Sequence, residues 1–253
     1  MNRVEKINEI RRTIESGKVS IGSWMQIPNS SVAEIMGHSG YSWVAVDMEH
    51  GSIDFHQLPD IFRALELGGT LPLVRLASQN PDDCKHALDA GAGGVIVPMI
   101  ENAEQLVKVK NACSWAPAGT RGIGFSRANL FGKYFDAYLL EAQSPLLVAM
   151  IESIQAVNSL ESILNVEGLD AILIGPYDLS SSMGMTGAFS APEFIDAINY
   201  ILTLCKKHNI PCGVHVVQPD LSMLQKRIND GYLFIAYSID AVFLSDAAAI
   251  NKR

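Results

Sequence analysis

Two carboxylates, Glu152 and Asp178, each stand just beyond a short apolar run, residues 146–151 and 171–174. Between them, residues 154–164 place apolar side chains at helical spacing. The unit therefore reads strand, carboxylate, helix, strand, carboxylate. A parallel strand–helix–strand unit brings both strand ends to one edge of a sheet, so the two carboxylates would meet in a concave mouth. There they share a proton or bind a hard divalent cation, and the cation is the favoured reading. The competing reading makes Glu152 a cap on the following helix and Asp178 the partner of an arginine.

Other reactive residues sit at comparable positions. One apolar run closes on Asp47-Met48-Glu49-His50-Gly51, another on Arg75, a third on Pro98-Met99, and a fourth carries His215. So many polar groups aimed at one space are costly to bury without a task. His50, beside Asp47 and Glu49, reads as a general base working near neutral pH or as a hydrogen-bonded loop histidine. Arg75 reads as a fixed cation for a developing enolate oxygen or a carboxylate, or as a salt-bridge partner of Asp47 or Glu49. His215 reads as a core or loop residue rather than a catalytic one. No lysine falls at a strand end, which argues against a Schiff-base aldolase. The absence of Gly-x-Ser-x-Gly argues against a serine hydrolase.

The elements that must carry these residues alternate along the chain. After an amphipathic helix over residues 4–16, closed by Gly17, eight strands are expected at 20–25, 43–48, 71–76, 94–99, 146–151, 171–174, 211–216 and 233–238. Helical patterns follow at 31–38, 55–67, 81–90, 103–112, 155–164, 191–208, 219–230 and 241–250. The strands are short, rich in Val, Ile and Leu and mostly non-alternating, as strands covered on both faces are. Eight such units predict an α/β fold, a (β/α)8 TIM barrel with an N-terminal helix, as one domain over residues 1–253. No GxGxxG or GxxxxGK[ST] occurs, which argues against a dinucleotide-binding or P-loop fold. The long irregular stretch at 114–144 is read as functional, because loops of that length in compact barrels usually are.

Composition sets outer bounds. Of 253 residues, 48% are hydrophobic and 18% charged, enough for one barrel-sized core. The net charge of -8, without a basic run, argues against a nucleic-acid or anionic-membrane partner. No apolar run approaches the ~20 residues of a membrane span, and the mixed-charge N-terminus does not read as a signal peptide. Cys84, Cys113, Cys205 and Cys212 form no CxxC pair and read as reduced, mostly buried thiols of a cytoplasmic protein.

Taken in order, Asp47-Met48-Glu49-His50-Gly51, Val74-Arg75, Val97-Pro98-Met99, Arg121-Gly122-Ile123-Gly124, Ile151-Glu152 and Gly175-Pro176-Tyr177-Asp178-Leu179-Ser180 resemble the HpcH/HpaI aldolase family. These are metal-dependent, class II pyruvate aldolases of the phosphoenolpyruvate/pyruvate barrel superfamily. The resemblance runs from about residue 21 to 248. It implies cleavage of a 4-hydroxy-2-oxo acid into pyruvate and an aldehyde through a metal-stabilised enolate. It implies Glu152 and Asp178 as ligands of Mg2+, Mn2+ or Co2+, His50 as the base, oriented by Asp89, and Arg75 on the keto oxygen. Amides near Gly175, Pro176 and Asp178, with Ser180, would hold the pyruvate carboxylate. It further implies a homohexamer, a trimer of dimers built by swapping the C-terminal helix. Met150 departs from relatives with Gln there, which removes a neighbouring contact or alters substrate preference. The alternatives are a citrate-type synthase or acyl-CoA lyase using the same site, and, in last place, a non-catalytic barrel. A CoA user needs a basic path for nucleotide phosphates, and the long loop offers only Arg121, Arg127 and Lys133.

Overall fold

The computed structural model describes residues 1–250. Eight parallel strands close a barrel in sequence order: β1 (Ser20–Met25), β2 (Trp43–Asp47), β3 (Leu71–Arg75), β4 (Gly94–Val97), β5 (Leu146–Ile151), β6 (Ala171–Ile174), β7 (Cys212–Val216) and β8 (Phe234–Ile239). The helices are α1 (Arg3–Glu15), α2 (Ser30–Gly37), α3 (Leu58–Leu67), α4 (Pro81–Asp89), α5 (Ala103–Cys113), α6 (Phe135–Glu141), α7 (Ile154–Asn158), α8 (Leu160–Leu164), α9 (Pro176–Ser182), α10 (Pro192–His208), α11 (Leu221–Asn229) and α12 (Asp240–Ala248). The expected (β/α)8 barrel with an N-terminal helix is the observed fold. None of the described helices is long and apolar enough to cross a membrane.

The continuous apolar character of the strands follows from burial on both faces. One face packs under the surrounding helices, with Val46, Val74, Val97 and Val214 in that outer layer. The other fills the barrel with Trp24, Trp43, Leu73, Val148, Leu173 and Phe234. At the end opposite the mouth, Ile7 and Ile10 of α1 join this interior layer, where Trp43 stacks on Phe234 at 4.2 Å. Gly22 on β1 makes room for that stack, since a Cβ there would lie 2.1 Å from the Trp43 ring. At the mouth, asparagine, serine or aspartate caps start the helices: Asn29 for α2, Asn80 for α4, Asn102 for α5, Ser153 for α7 and Asp220 for α11.

Three local expectations are corrected. The helix over 155–164 is two short helices broken at Ser159, which ends α7 and starts α8. Residues 176–182 form a helix, α9, that was not among the expected elements; Pro176 at its first position favours the start. The 114–144 stretch contains α6 and a 3-10 turn, Arg127–Asn129. It joins a helix end to a strand start, so it lies at the face opposite the mouth. Buried Trp115 and Tyr138 anchor it, Arg3 binds Glu141 at 2.6 Å and Arg127 binds Glu66 at 2.6 Å. Within the chain it lines no part of the mouth cavity.

The Trp43–Phe234 stack should not tolerate a methyl group at Gly22. Gly22→Ala should lower stability by about 1–3 kcal/mol through overpacking, read as a fall in the urea midpoint. An unchanged midpoint would show that the stack can shift freely.

Candidate active site

The register of the sheet assembles the first part of the site. Asp47 and Arg75 are direct partners at the ends of β2 and β3, so their side chains leave neighbouring backbones side by side. The Arg75 Nε and Nη2 atoms donate to the two Asp47 carboxylate oxygens at 2.9 and 2.6 Å. Gln26 Nε2 donates to Asp47 at 2.8 Å, and the Glu49 and His50 amides donate at 3.1 and 3.2 Å. Burial alone would raise the Asp47 pKa, but the Arg75 hydrogen bonds and charge, with Gln26 and the His50 amide, outweigh it and hold the carboxyl at about 2. Gly51 allows the turn that carries Glu49 and His50, since a Cβ there would lie 2.3 Å from the Asp47 carbonyl oxygen.

Glu49 lies 3.1 Å from Arg75 Nη1. The contact is an ion pair without hydrogen-bond alignment, and the Glu49 Oε2 atom is left without a hydrogen bond. Burial pushes the Glu49 carboxyl up against the pull of Arg75. The His50 side chain is 63% exposed at the rim, its Nε2 4.0 Å from Glu49 Oε2. The salt-bridge reading of Arg75 is therefore correct, with both carboxylates. It leaves free N–H groups, because Asp47 takes two of the five that a guanidinium offers.

Glu152 directly follows β5 and is only 4% exposed. Its Oε2 accepts from the Met99 amide at 2.8 Å. Met99 holds a left-handed backbone, φ 53°, which costs about 1–3 kcal/mol in a non-glycine residue. Gly175, beyond β6, lets Glu152 lie against the chain, since a Cβ there would be 2.6 Å from Oε1. Glu152 has no ion pair among the described residues. Its pKa rises to about 7, driven by burial, opposed by the Met99 amide and reinforced by the charges of Glu49 and Asp178. Asp178 is in the first turn of α9, exposed, with no arginine partner among the described residues. The cap of α7 is Ser153, whose hydroxyl accepts from the Ala156 amide. Neither half of the competing reading of these two carboxylates therefore occurs.

Glu152, Asp178, Arg75 and His50 line one cavity of about 1230 Å3, which opens at the mouth and continues along α10 and α11. No three His, Cys, Asp or Glu side chains among the described residues converge on a cation position. The Glu152–Asp178 pair still fits a hard cation: it offers oxygen donors, one buried and underpaired, and leaves other coordination positions to substrate oxygens and water.

Two expected site residues lie elsewhere. Asp89 ends α4 at the face opposite the mouth, where it pairs with Arg121 at 3.2 Å, so within the chain it does not orient His50. Ser180 is fully buried inside α9, where its hydroxyl donates to the Tyr177 carbonyl and accepts from the Gly187 amide. That leaves it no hydrogen for a substrate. Gly175 and Pro176 do line the cavity.

The HpcH/HpaI aldolase/citrate lyase family model matches residues 20–247. The chain belongs to this family. It is 34% identical, over 90% of its length and 89% of the relative's, to a 2-dehydro-3,6-dideoxy-6-sulfogluconate aldolase of Pseudomonas putida. It is 32% identical, over 98% and 94%, to a 4-hydroxy-2-oxovalerate aldolase of Novosphingobium aromaticivorans. A crystal structure of an HpcH/HpaI family protein from Burkholderia cenocepacia superposes with a TM-score of 0.88 at 28% identity, covering 95% of this chain and 96% of the other.

Reading this HpcH/HpaI chain from sequence missed four positioning groups. Gln26 and Trp24 sit at the end of β1; Trp24 lies under the Arg75 guanidinium at 5.2 Å. Asp240, buried at the start of α12, accepts from the Gln26 and Ile27 amides at 2.8 and 2.9 Å. Met99 gives no signal, since methionine is not a left-handed residue by type. Gln26 and Asp240 do follow strand ends, as the recognised residues do.

Glu152 binds a proton more tightly when folded than the ordinary carboxyl of the unfolded chain, so it costs stability as pH rises from 4.5 to about 7. In the presence of chelator, Glu152→Gln should therefore gain on the parent by about 1–3 kcal/mol between pH 4.5 and 7.5. Parallel urea-stability curves over that range would rule out a protonated Glu152.

Proposed function

We propose that the chain is a class II aldolase, an aldehyde-lyase that reversibly cleaves a 4-hydroxy-2-oxo acid to pyruvate and an aldehyde. The observation that carries this reading is the buried, underpaired Glu152 beside Asp178, in one cavity with Arg75 and His50. Family membership and the named aldolase relatives support the reaction type.

Glu152 and Asp178 would hold one divalent cation, Mg2+, Mn2+ or Co2+, which supplies Lewis acidity to the oxo-acid oxygens when bound. Arg75, fixed in plane by Asp47, donates free N–H groups to the C2 oxygen and stabilises the negative charge that develops there. The first-turn amides of α9, which has no side-chain cap, hold the substrate carboxylate. His50 at the rim takes the C4 hydroxyl proton as the C3–C4 bond breaks. The bonding pair passes into the C2 carbonyl, and a proton delivered to C3 completes pyruvate. Glu49, 4.0 Å from His50 Nε2, replaces Asp89 as the neighbouring carboxylate within the chain.

A screen of 4-hydroxy-2-oxo acids, following pyruvate release, tests this reading. Chelator should abolish release and a divalent metal restore it; full turnover after exhaustive metal removal would sink the metal assignment. His50→Ala should lower turnover about 10²–10⁴-fold with metal affinity retained. Arg75→Lys should also damage turnover, because an ammonium lacks the planar fork, whereas Glu152→Ala should weaken metal binding itself. Wild-type turnover in His50→Ala would make His50 a structural rim residue.

We also propose that residues 1–253 act as one cytoplasmic barrel domain within a homohexamer, a trimer of dimers. Supporting the assembly, α12 carries exposed Leu244 and buries only Asp240. All four cysteines are free and buried, consistent with a reducing compartment. Light scattering at micromolar concentration should give a mass several times 27.5 kDa; a monomer would refute the assembly.

A further inference from the structure

The floor of the cavity holds one hydrogen-bonding ring that the proposed reaction does not use. His215 is on the interior face of β7, and it lines the cavity beside Trp24, Met150 and Leu173. Its ring is 5.0 Å from that of Trp24, tilted by 30°, and the same indole lies 5.2 Å from the Arg75 guanidinium. The ring contact limits how the imidazole can turn. Its Nε2 lies 3.1 Å from the carbonyl oxygen of Ser238 on β8.

That contact decides the tautomer. A carbonyl oxygen only accepts, so Nε2 must carry the hydrogen. Burial holds the imidazole far below its usual pKa, at about 4, with the Ser238 contact opposing and nearby Arg75 adding to the fall. The ring is therefore neutral at working pH, and Nδ1 presents a bare lone pair. No hydrogen bond to Nδ1 is made by the described residues. Around it the floor is apolar, apart from Arg75 and Gln26, whose amide group is already bound to Asp47. A cationic donor is disfavoured so close to Arg75. The donor that fits an uncharged lone pair in these surroundings is a hydroxyl.

The location narrows which hydroxyl. In the aldolase reading the oxo-acid half of a substrate is held by Arg75 and the Glu152–Asp178 pair. Trp24 contacts both Arg75 and His215, and all of these side chains line one cavity, so the imidazole is within reach of the carbons next to the oxo-acid half, the first carbons of the leaving aldehyde. We propose that His215 is a specificity-determining residue, which accepts through Nδ1 a hydrogen bond from a hydroxyl on the carbon next to the aldehyde. The substrate class is then an oxo acid whose aldehyde fragment is an α-hydroxyaldehyde rather than a simple alkyl aldehyde. The inference rests on the aldolase reading. An alkyl group at that place leaves the lone pair unpaired, and sites built for a hydroxyl reject the analogue that lacks it more strongly than apolar pockets reject an added one.

Glycolaldehyde and propionaldehyde test this directly, since they differ by a hydroxyl against a methyl group. With pyruvate and Mn2+, the parent protein should show a higher kcat/KM for glycolaldehyde. In His215→Leu the ratio of the two kcat/KM values should fall about 10–100-fold. His215→Gln, which restores an acceptor, should recover part of it and covers the case in which the leucine variant folds poorly. A purely structural role would lower both aldehydes together and keep the ratio, which overturns the proposal. Exchange of the pyruvate methyl hydrogens in D2O needs no aldehyde and separates the two failures. A parent protein that exchanges but shows no preference for glycolaldehyde overturns the role of His215 and leaves the aldolase reading standing. A parent protein that neither exchanges nor condenses overturns both.

Discussion

The site depends on one unfavourable burial. Glu152 is enclosed at the end of β5 with a single backbone donor, and its nearest charged neighbours in the mouth include two more carboxylates, Glu49 and Asp178. Taking a carboxylate out of water without a counter-charge is expensive, and the usual relief is a proton or a cation. The chain accepts further strain to keep Glu152 there: a left-handed Met99 supplies the amide, and a glycine at 175 gives up its side chain to the Oε1 atom. Local sacrifices that converge on one underpaired carboxylate are what a ligand position looks like before the ligand is considered.

Asp47 is the opposite case and makes the contrast informative. It is equally buried, yet it accepts from Arg75, Gln26 and two backbone amides. Its charge is matched and it holds an arginine still. A buried pair of this kind adds little net stability but is costly to break. Its contribution here is to aim Arg75 and to shape the turn that presents Glu49 and His50. One buried carboxylate is matched in charge and positions; the other accepts only one backbone hydrogen bond.

Much of this was legible in the sequence, because barrel topology turns order along the chain into place. Each apolar run ends at the mouth, so Asp47, Arg75, Glu152 and Asp178 could be grouped without coordinates. Asp89 and Ser180 were misplaced for different reasons. Asp89 ends a helix rather than a strand, which puts it at the far face beside Arg121. Ser180 sits inside a short helix that begins at Pro176, and its hydroxyl ties that helix to Gly187. The 114–144 stretch was read by its length, whereas its place follows from which end of the barrel it joins. His215 was read as a core or loop residue because nothing in its sequence neighbours reveals its ring contact with Trp24.

The ends of the barrel also explain why the site needs the whole chain. Closure pairs β8 with β1, and the register slips between Gly22 and Trp24. Just past β8, Asp240 reaches back to the Gln26 and Ile27 amides beyond β1, and Gln26 in turn holds Asp47. Ser238, left-handed at φ 56°, points its carbonyl at His215. The last strand therefore fixes the groups that steady Arg75 and the imidazole that lines the cavity floor. Glu152 and Asp178 come from the middle of the chain, but the geometry around them is completed only when its two ends meet. Packing at α1, Trp43 and Phe234 stabilises the opposite face, and this separation lets the mouth carry an underpaired carboxylate and a strained methionine without unfolding the barrel.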